Sequence, residues 1–130
     1  ARSIIQATKQ VGLSTSVKTR LGYTYPEEYR EWLPQILAEH PDALTVHLRT
    51  KKEMSKVAAH YELIPEIIDL VKKESPNTKL IINGDIDTPI AGRAFIQQGA
   101  DRIMIGRGVF KNPFCFEKKS QIHNKKELNF

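Results

Sequence analysis

Apolar positions recur at helical spacing in four stretches of the chain, and alternating or continuous apolar runs lie between them. Residues 1–10 carry Ile4, Ile5 and Ala7 with Val11 beyond, and Gly12 stands where a helix ends. Thr15 to Leu21 alternates, with Thr15, Val17 and Thr19 on one face and Ser16, Lys18 and Arg20 on the other, which predicts a strand. Pro26 with Glu27 and Glu28 starts a helix carrying Tyr29, Trp32, Leu33, Ile36 and Leu37. Pro34 is expected to bend or interrupt it before it ends near His40.

Ala43 to His47 reads as the next strand, followed by a long polar loop from Leu48 to His60. Leu63, Ile64, Ile67, Ile68, Leu70 and Val71 mark an amphipathic helix that the Glu74-Ser75-Pro76-Asn77 cluster stops. Leu80-Ile81-Ile82 is a buried strand. Thr88-Pro89 opens a helix that Gly99 closes, and Arg102 to Ile105 is a fourth strand running into Gly106-Arg107-Gly108. From Asn112 the chain reads as irregular or weakly helical. Strictly alternating helices and strands imply a parallel sheet with right-handed crossovers, an α/β fold.

Composition narrows the class. With 130 residues, 40% hydrophobic and 27% charged, and a mean hydropathy of −0.41, the chain reads as one globular domain and excludes disorder, collagen-like and coiled-coil architectures. No apolar run is long enough for a membrane span, and no secretory leader is apparent, so a cytoplasmic location is expected. The absence of an initiator methionine suggests a processed or excised segment. The single Cys115 fits a reducing compartment and reads as a small buried apolar residue without a partner base. His40, His60 and His123 show no metal spacing and read as surface residues; no metal site is expected.

The net charge of +5 permits polyanion binding without pointing to a dedicated nucleic-acid arm. Its excess is concentrated near the carboxyl end, where Lys111, Lys118, Lys119, Lys125 and Lys126 face only Glu117 and Glu127 in what reads as a solvated tail.

The candidate chemistry sits at strand ends. Lys18, His47, Asn83 and Gly106 are each expected at the carboxyl end of a strand, where a barrel gathers its functional residues on one face. Asn83-Gly84-Asp85 and Gly106-Arg107-Gly108 match the paired loops that hold phosphate, with glycines admitting backbone amides and Arg107 adding a charged fork. A fixed cation at Lys18 suits negative charge on a flavin ring or an oxyanion, with an inward ion pair as its structural alternative. His47 suits donation to a flavin or phosphate, and Arg49 an anionic substrate.

Together these segments resemble the tRNA-dihydrouridine synthases, flavin enzymes built on a TIM barrel followed by a helical domain. The resemblance rests on residues 16–22 (SVKTRLG), 44–50 (LTVHLRT), 82–86 (INGDI) and 99–108 (GADRIMIGRG) with Asn112-Pro113, in the family's order. It covers roughly residues 1–116 and implies the carboxy-terminal half of a TIM (β/α)8 barrel, with 117–130 beginning a helical segment or tail. It implies FMN bound by Lys18, His47, Asn83, Gly84, Asp85, Gly106 and Arg107, NADPH as reductant, tRNA as partner, and Arg49, Lys51 and Lys52, with Lys111, facing RNA. Leu48 replaces a glycine common in that family.

The family's proton-donating cysteine lies in an Asn-x-Gly-Cys-Pro motif that this sequence lacks, and Cys115 is not its equivalent, so no catalytic residue is assigned and the chain alone is expected to be inactive. Four strands also leave two open edges, which implies closure by an amino-terminal half or by a second copy. Two further readings stay open: another FMN or phosphate-ligand barrel enzyme, such as a sugar-phosphate isomerase, or a non-catalytic half-barrel assembly unit.

Overall fold

A computed structural model describes residues 1–117 of the chain. Helix α1 (Arg2–Gln10) leads to strand β1 (Ser16–Arg20); a 3-10 turn, Pro26–Glu28, runs into α2 (Tyr29–Leu37); and β2 is Ala43–His47. A second 3-10 turn, Tyr61–Leu63, opens onto α3 (Ile64–Glu74), followed by β3 (Lys79–Asn83), α4 (Pro89–Gln98), β4 (Arg102–Met104) and α5 (Gly108–Lys111). The four strands form one parallel sheet in the order β1-β2-β3-β4, the arrangement of a partial TIM barrel.

The helix-facing side of the sheet carries the apolar strand residues. Leu44, Val46, Leu80 and Ile82 pack with Leu33 and Leu37 of α2 and with Ile64, Ile67, Ile68 and Val71 of α3 in one buried cluster. At about 2 kcal/mol for each fully buried aliphatic side chain, this layer outweighs any single polar contact at the sheet's rim. The other side carries rows that mix polar and apolar residues, set by strand register: Lys18 pairs with Thr45, which pairs with Ile81, and two residues further along Arg20, His47, Asn83 and Met104 align.

Local chemistry explains the ends of the elements. The Thr88 hydroxyl accepts from the Ala91 amide and starts α4, and Gly99 closes it at φ 117°, where a side chain would be strained. Helix α2 runs through Pro34 without interruption and ends at Leu37, short of the expected His40, and the Pro34 carbonyl still accepts from Ala38. Its neighbours Leu33, Ile36 and Leu37 are buried, so packing holds the helix across the missing donor. The segment from Leu48 is also less polar in placement than in composition: Leu48, Arg49 and Thr50 are buried.

Strand β4 is shorter than expected, ending at Met104. Residues 118–130 lie outside the described residues, and with them the expected carboxy-terminal segment, His123 and most of the basic tail. Cys115 is buried, as a small apolar residue would be.

Candidate functional site

The loops that follow the four strands are tied to one another. Beyond the strand ends, the Leu21 amide donates to the Arg49 carbonyl and the Leu48 amide to the Asn83 carbonyl, which extends the ladder into the loops. The first loop turns tightly because the Glu28 carboxylate accepts from the amides of Tyr23, Thr24 and Tyr25 at 2.7, 3.0 and 2.8 Å. Those amides hold its pKa below the usual carboxylate range. A Cβ at Gly22 would stand 2.6 Å from the Glu28 Cβ, so only glycine admits the carboxylate that closely.

Strand register places Arg20, not Lys18, beside His47. Lys18 lies mid-strand, opposite Thr45, and is exposed, so its expected position at a strand's carboxyl end is corrected by two residues. Alternation still puts Lys18 and Arg20 on one side of β1. Arg20 Nη1 lies 3.3 Å from His47 Nδ1 and donates to the Thr50 carbonyl at 3.1 Å.

Because a guanidinium only donates, Nδ1 of His47 is the acceptor, and the neutral ring carries its proton on Nε2. Burial, followed by the charges of Arg20, Lys18 and Arg49, pulls the imidazole pKa down to about 4. His47 is therefore a neutral Nε2 donor at pH 7.

A cleft of about 310 Å³ opens at the carboxyl ends of β3 and β4, lined by Asn83, Asp85, Asp87, Gly106, Arg107 and Lys111 among others. Asn83 Nδ2 donates to the Met104 carbonyl at 2.8 Å and ties the two strand ends together. Gly106 borders the cleft with nothing within 4 Å of where a Cβ would stand. Gly108 has a different role from the anion approach expected of it: a Cβ there would lie 2.6 Å from the Asp87 carbonyl oxygen, so its hydrogen lets the two loops touch.

Gly84 does not line this cleft. It is buried at φ 126°, its carbonyl accepts from the Tyr61 hydroxyl at 2.7 Å, and a Cβ on it would be 3.9 Å from His47 Nε2.

Asp85 links the two halves of the site. Its carboxylate receives Nη2 of Arg49 on one oxygen and Nη2 of Arg107, at 3.2 Å, on the other. Partial burial pushes its pKa upward, but Arg49, the Ala59 amide and Arg107 outweigh that and hold it below the usual value. Its backbone is left-handed at φ 50°, a conformation that aspartate tolerates better than most residues.

Arg49 is only 2% exposed, with Nε donating to the Val57 carbonyl at 2.7 Å. Arg49, expected to face an anionic substrate or RNA, is thus a buried side chain held by Asp85 and the Val57 carbonyl. Lys51 and Lys52 are exposed, and their amides donate to the Gly22 and Tyr23 carbonyls across the loops.

The site thus brings together His47, Asn83, Asp85, Gly106 and Arg107, leaves Lys18 within electrostatic reach of His47, and keeps Lys51 and Lys52 on the rim. Sequence reasoning missed Arg20, which shares the polar face of β1 with Lys18, and Glu28, whose position three residues after Tyr25 fits a helix-start acid. Among the described residues no group of three or more histidine, cysteine or acidic side chains is arranged to hold a metal ion, and no helix is long and apolar enough to cross a membrane.

Parallel strands, connecting helices and a polar cluster at the strands' carboxyl ends define a protein of the α/β barrel class, represented here by four strands. The family model described as dihydrouridine synthase (Dus) matches residues 1–129, and the chain belongs to that family. It is 55% identical over 129 residues to a protein named "Probable tRNA-dihydrouridine synthase 2" of Bacillus subtilis (strain 168), covering 98% of this chain and 40% of that protein. Proteins named "Probable tRNA-dihydrouridine synthase" are 51% identical in Staphylococcus aureus (strain Mu50 / ATCC 700699) and 52% identical in Staphylococcus epidermidis (strain ATCC 12228 / FDA PCI 1200). Each match spans 129 residues and 98% of this chain, with 39% and 40% of the respective relatives. The chain therefore spans about two fifths of the length of these curated relatives.

Proposed function

We propose that this chain is the carboxy-terminal half of the barrel of an FMN-dependent tRNA-dihydrouridine synthase that reduces uridine in tRNA with NADPH in the cytoplasm. The observation that carries the reading is the convergence of Asn83, Gly106 and Arg107 on one cleft at the carboxyl ends of parallel strands, in a chain of the dihydrouridine synthase family.

The residues present fit an FMN phosphate. The open space at Gly106 is a cradle that a ligand can fill, and Arg107 and Lys111 supply positive charge. Both cations are held by carboxylates, Arg107 by Asp85 and Lys111 by Asp87 at 2.5 Å. These ion pairs are largely exposed, and such pairs are worth about 0–1 kcal/mol, so exchanging a carboxylate for a phosphate on either cation costs little.

The chemistry a bound FMN supplies is hydride transfer between NADPH and the uracil ring of a tRNA uridine. Lys18 holds positive charge within electrostatic reach of His47, whose Nε2–H would be available to an oxygen or nitrogen acceptor of the bound group, and Asp85 with Gly84 shapes the turn after β3. Lys51 and Lys52 face the RNA backbone. No residue of this chain is assigned as the proton donor, because the Asn-x-Gly-Cys-Pro element is absent from its sequence, so the chain by itself leaves the reaction incomplete. The edges of β1 and β4, each unpaired on one side among the described residues, are closed by a further barrel segment or by a second copy.

Titrating FMN against the chain and following flavin fluorescence tests the reading. The expected result is saturable quenching that weakens roughly tenfold in Arg107→Met, the loss of one charge-assisted contact. No quenching by the folded wild-type chain would overturn the assignment of this cleft to the cofactor.

A further inference from the structure

The loop after β1 carries two tyrosines that nothing in the proposed cofactor site uses. Tyr23 and Tyr25 are 61% and 66% exposed, although water-facing aromatic rings forfeit the burial that normally rewards them. They do not sit on a floppy tip. The Glu28 carboxylate accepts from the backbone amides of residues 23, 24 and 25, and the carbonyls of Gly22 and Tyr23 accept from the amides of Lys51 and Lys52 at 2.8 and 2.9 Å. The rings are therefore presented on backbone already held in place, which removes much of the ordering cost of binding.

Charge accompanies the Tyr23 ring. Lys52 Nζ lies 5.8 Å from the centroid of Tyr23, and Lys51 lines the shallow cleft that also contains Tyr23. Glu28, whose carboxylate feels the charge of Lys52, has its oxygens accepting from the three amides. An aromatic face beside exposed lysines is the combination that binds single-stranded nucleic acid: every base offers a face for stacking, and the lysines meet the flanking phosphates. A purely anionic partner would have no use for the rings.

We propose that Tyr23 and Tyr25, with Lys51 and Lys52, form a preformed stacking platform for an unstacked nucleobase of the RNA substrate, at the rim of the sheet's carboxyl face. The platform deepens the tRNA reading and rests on it for the identity of the RNA, but its own interaction is independent of flavin.

The test uses the full chain and a single-stranded oligouridylate of about ten nucleotides with one central 2-aminopurine, whose fluorescence falls when the base stacks. Wild type and Tyr23→Phe are expected to quench it with similar affinity, and Tyr23→Ala to bind at least about fivefold more weakly with the quenching reduced. Lys52→Met is expected to weaken binding and to flatten its salt dependence. Circular dichroism confirms that each variant is folded.

Equal quenching by wild type and Tyr23→Ala would overturn the platform, as would competition by polyglutamate as effective as that of unlabelled RNA, which would reveal a charge-only or protein-directed surface. Because no flavin is present, a chain that stacks RNA but fails to quench FMN fluorescence refutes the cofactor cleft alone, and the converse refutes the platform alone.

Discussion

Arg20 Nη1 lies 3.3 Å from His47 Nδ1, and the two residues stand opposite one another in the β1–β2 register. A permanent cation so placed keeps the imidazole neutral and directs its one proton to Nε2.

The first prediction concerns that imidazole. Burial first, and then Arg20, Lys18 and Arg49, bring its pKa down to about 4 from 6.5. As pH falls below about 6.5, the unfolded chain takes up the proton and the folded chain does not. The contribution of His47 to stability is thus fully present above that value and is lost progressively as pH falls toward 4. Imidazole NMR titration should give a midpoint well below 6.5 that moves upward in Arg20→Met; an unchanged midpoint in the variant would show that Arg20 does not act on the ring.

His60 behaves in the opposite sense. Burial would lower its pKa, but Glu53 at Nε2 and Glu62 at Nδ1, both at 2.8 Å, outweigh it and raise the pKa above 6.5. The resulting stabilisation is present below pH 6.5 and is lost as pH rises through the raised folded value. Since Glu53 also accepts from the Thr50 amide, the loop that carries Lys51 and Lys52 should loosen on that rise. Hydrogen exchange of residues 50–60, corrected for intrinsic rates, should accelerate with pH in wild type and show no such step in His60→Gln.

Two glycines separate binding from folding. Gly106→Ala should leave the urea midpoint unchanged, because nothing stands within 4 Å of the new methyl, and should weaken FMN quenching severalfold by filling the cradle. Gly108→Ala drives a methyl into the Asp87 backbone at 2.6 Å and should cost about 1–3 kcal/mol, read as a lower midpoint at constant slope. The reverse ranking of the two variants would place the cradle elsewhere.

Asp85→Ala removes the carboxylate from Arg49, whose side chain is 3% exposed, and should destabilise the chain by about 2 kcal/mol. Asp85→Asn keeps a residue that tolerates φ 50° and an oxygen acceptor, so it should lose less. Equal urea midpoints for wild type and Asp85→Ala would show that Asp85 contributes nothing net through Arg49.

Much of the fold was legible because the signals are local. The β-branched alternation over residues 15–21, the apolar stripe of α3, the Thr88-Pro89 start and the Gly99 stop each depend on a few neighbouring residues, and β2 falls on Ala43–His47 as its pattern predicts. That turns follow β3 and β4 was legible for the same reason. That α2 continues uninterrupted through Pro34 was not legible, because the local cost of a proline is visible in the sequence while the burial of Leu33, Ile36 and Leu37 that offsets it is not.

By itself, then, the chain's sequence determined the order and type of its elements, its family, and that His47 and Asn83 end their strands, because periodicity and turn chemistry act over short distances. Only the tertiary structure decided that Arg20 rather than Lys18 meets His47, that Arg49 is buried against Asp85 instead of facing outward, and that Glu28 gathers three amides into a rigid loop. Each of those depends on strand register or on the approach of segments distant in sequence. A one-residue slip would turn every side chain of a strand to the other face of the sheet, and no local preference sets that register.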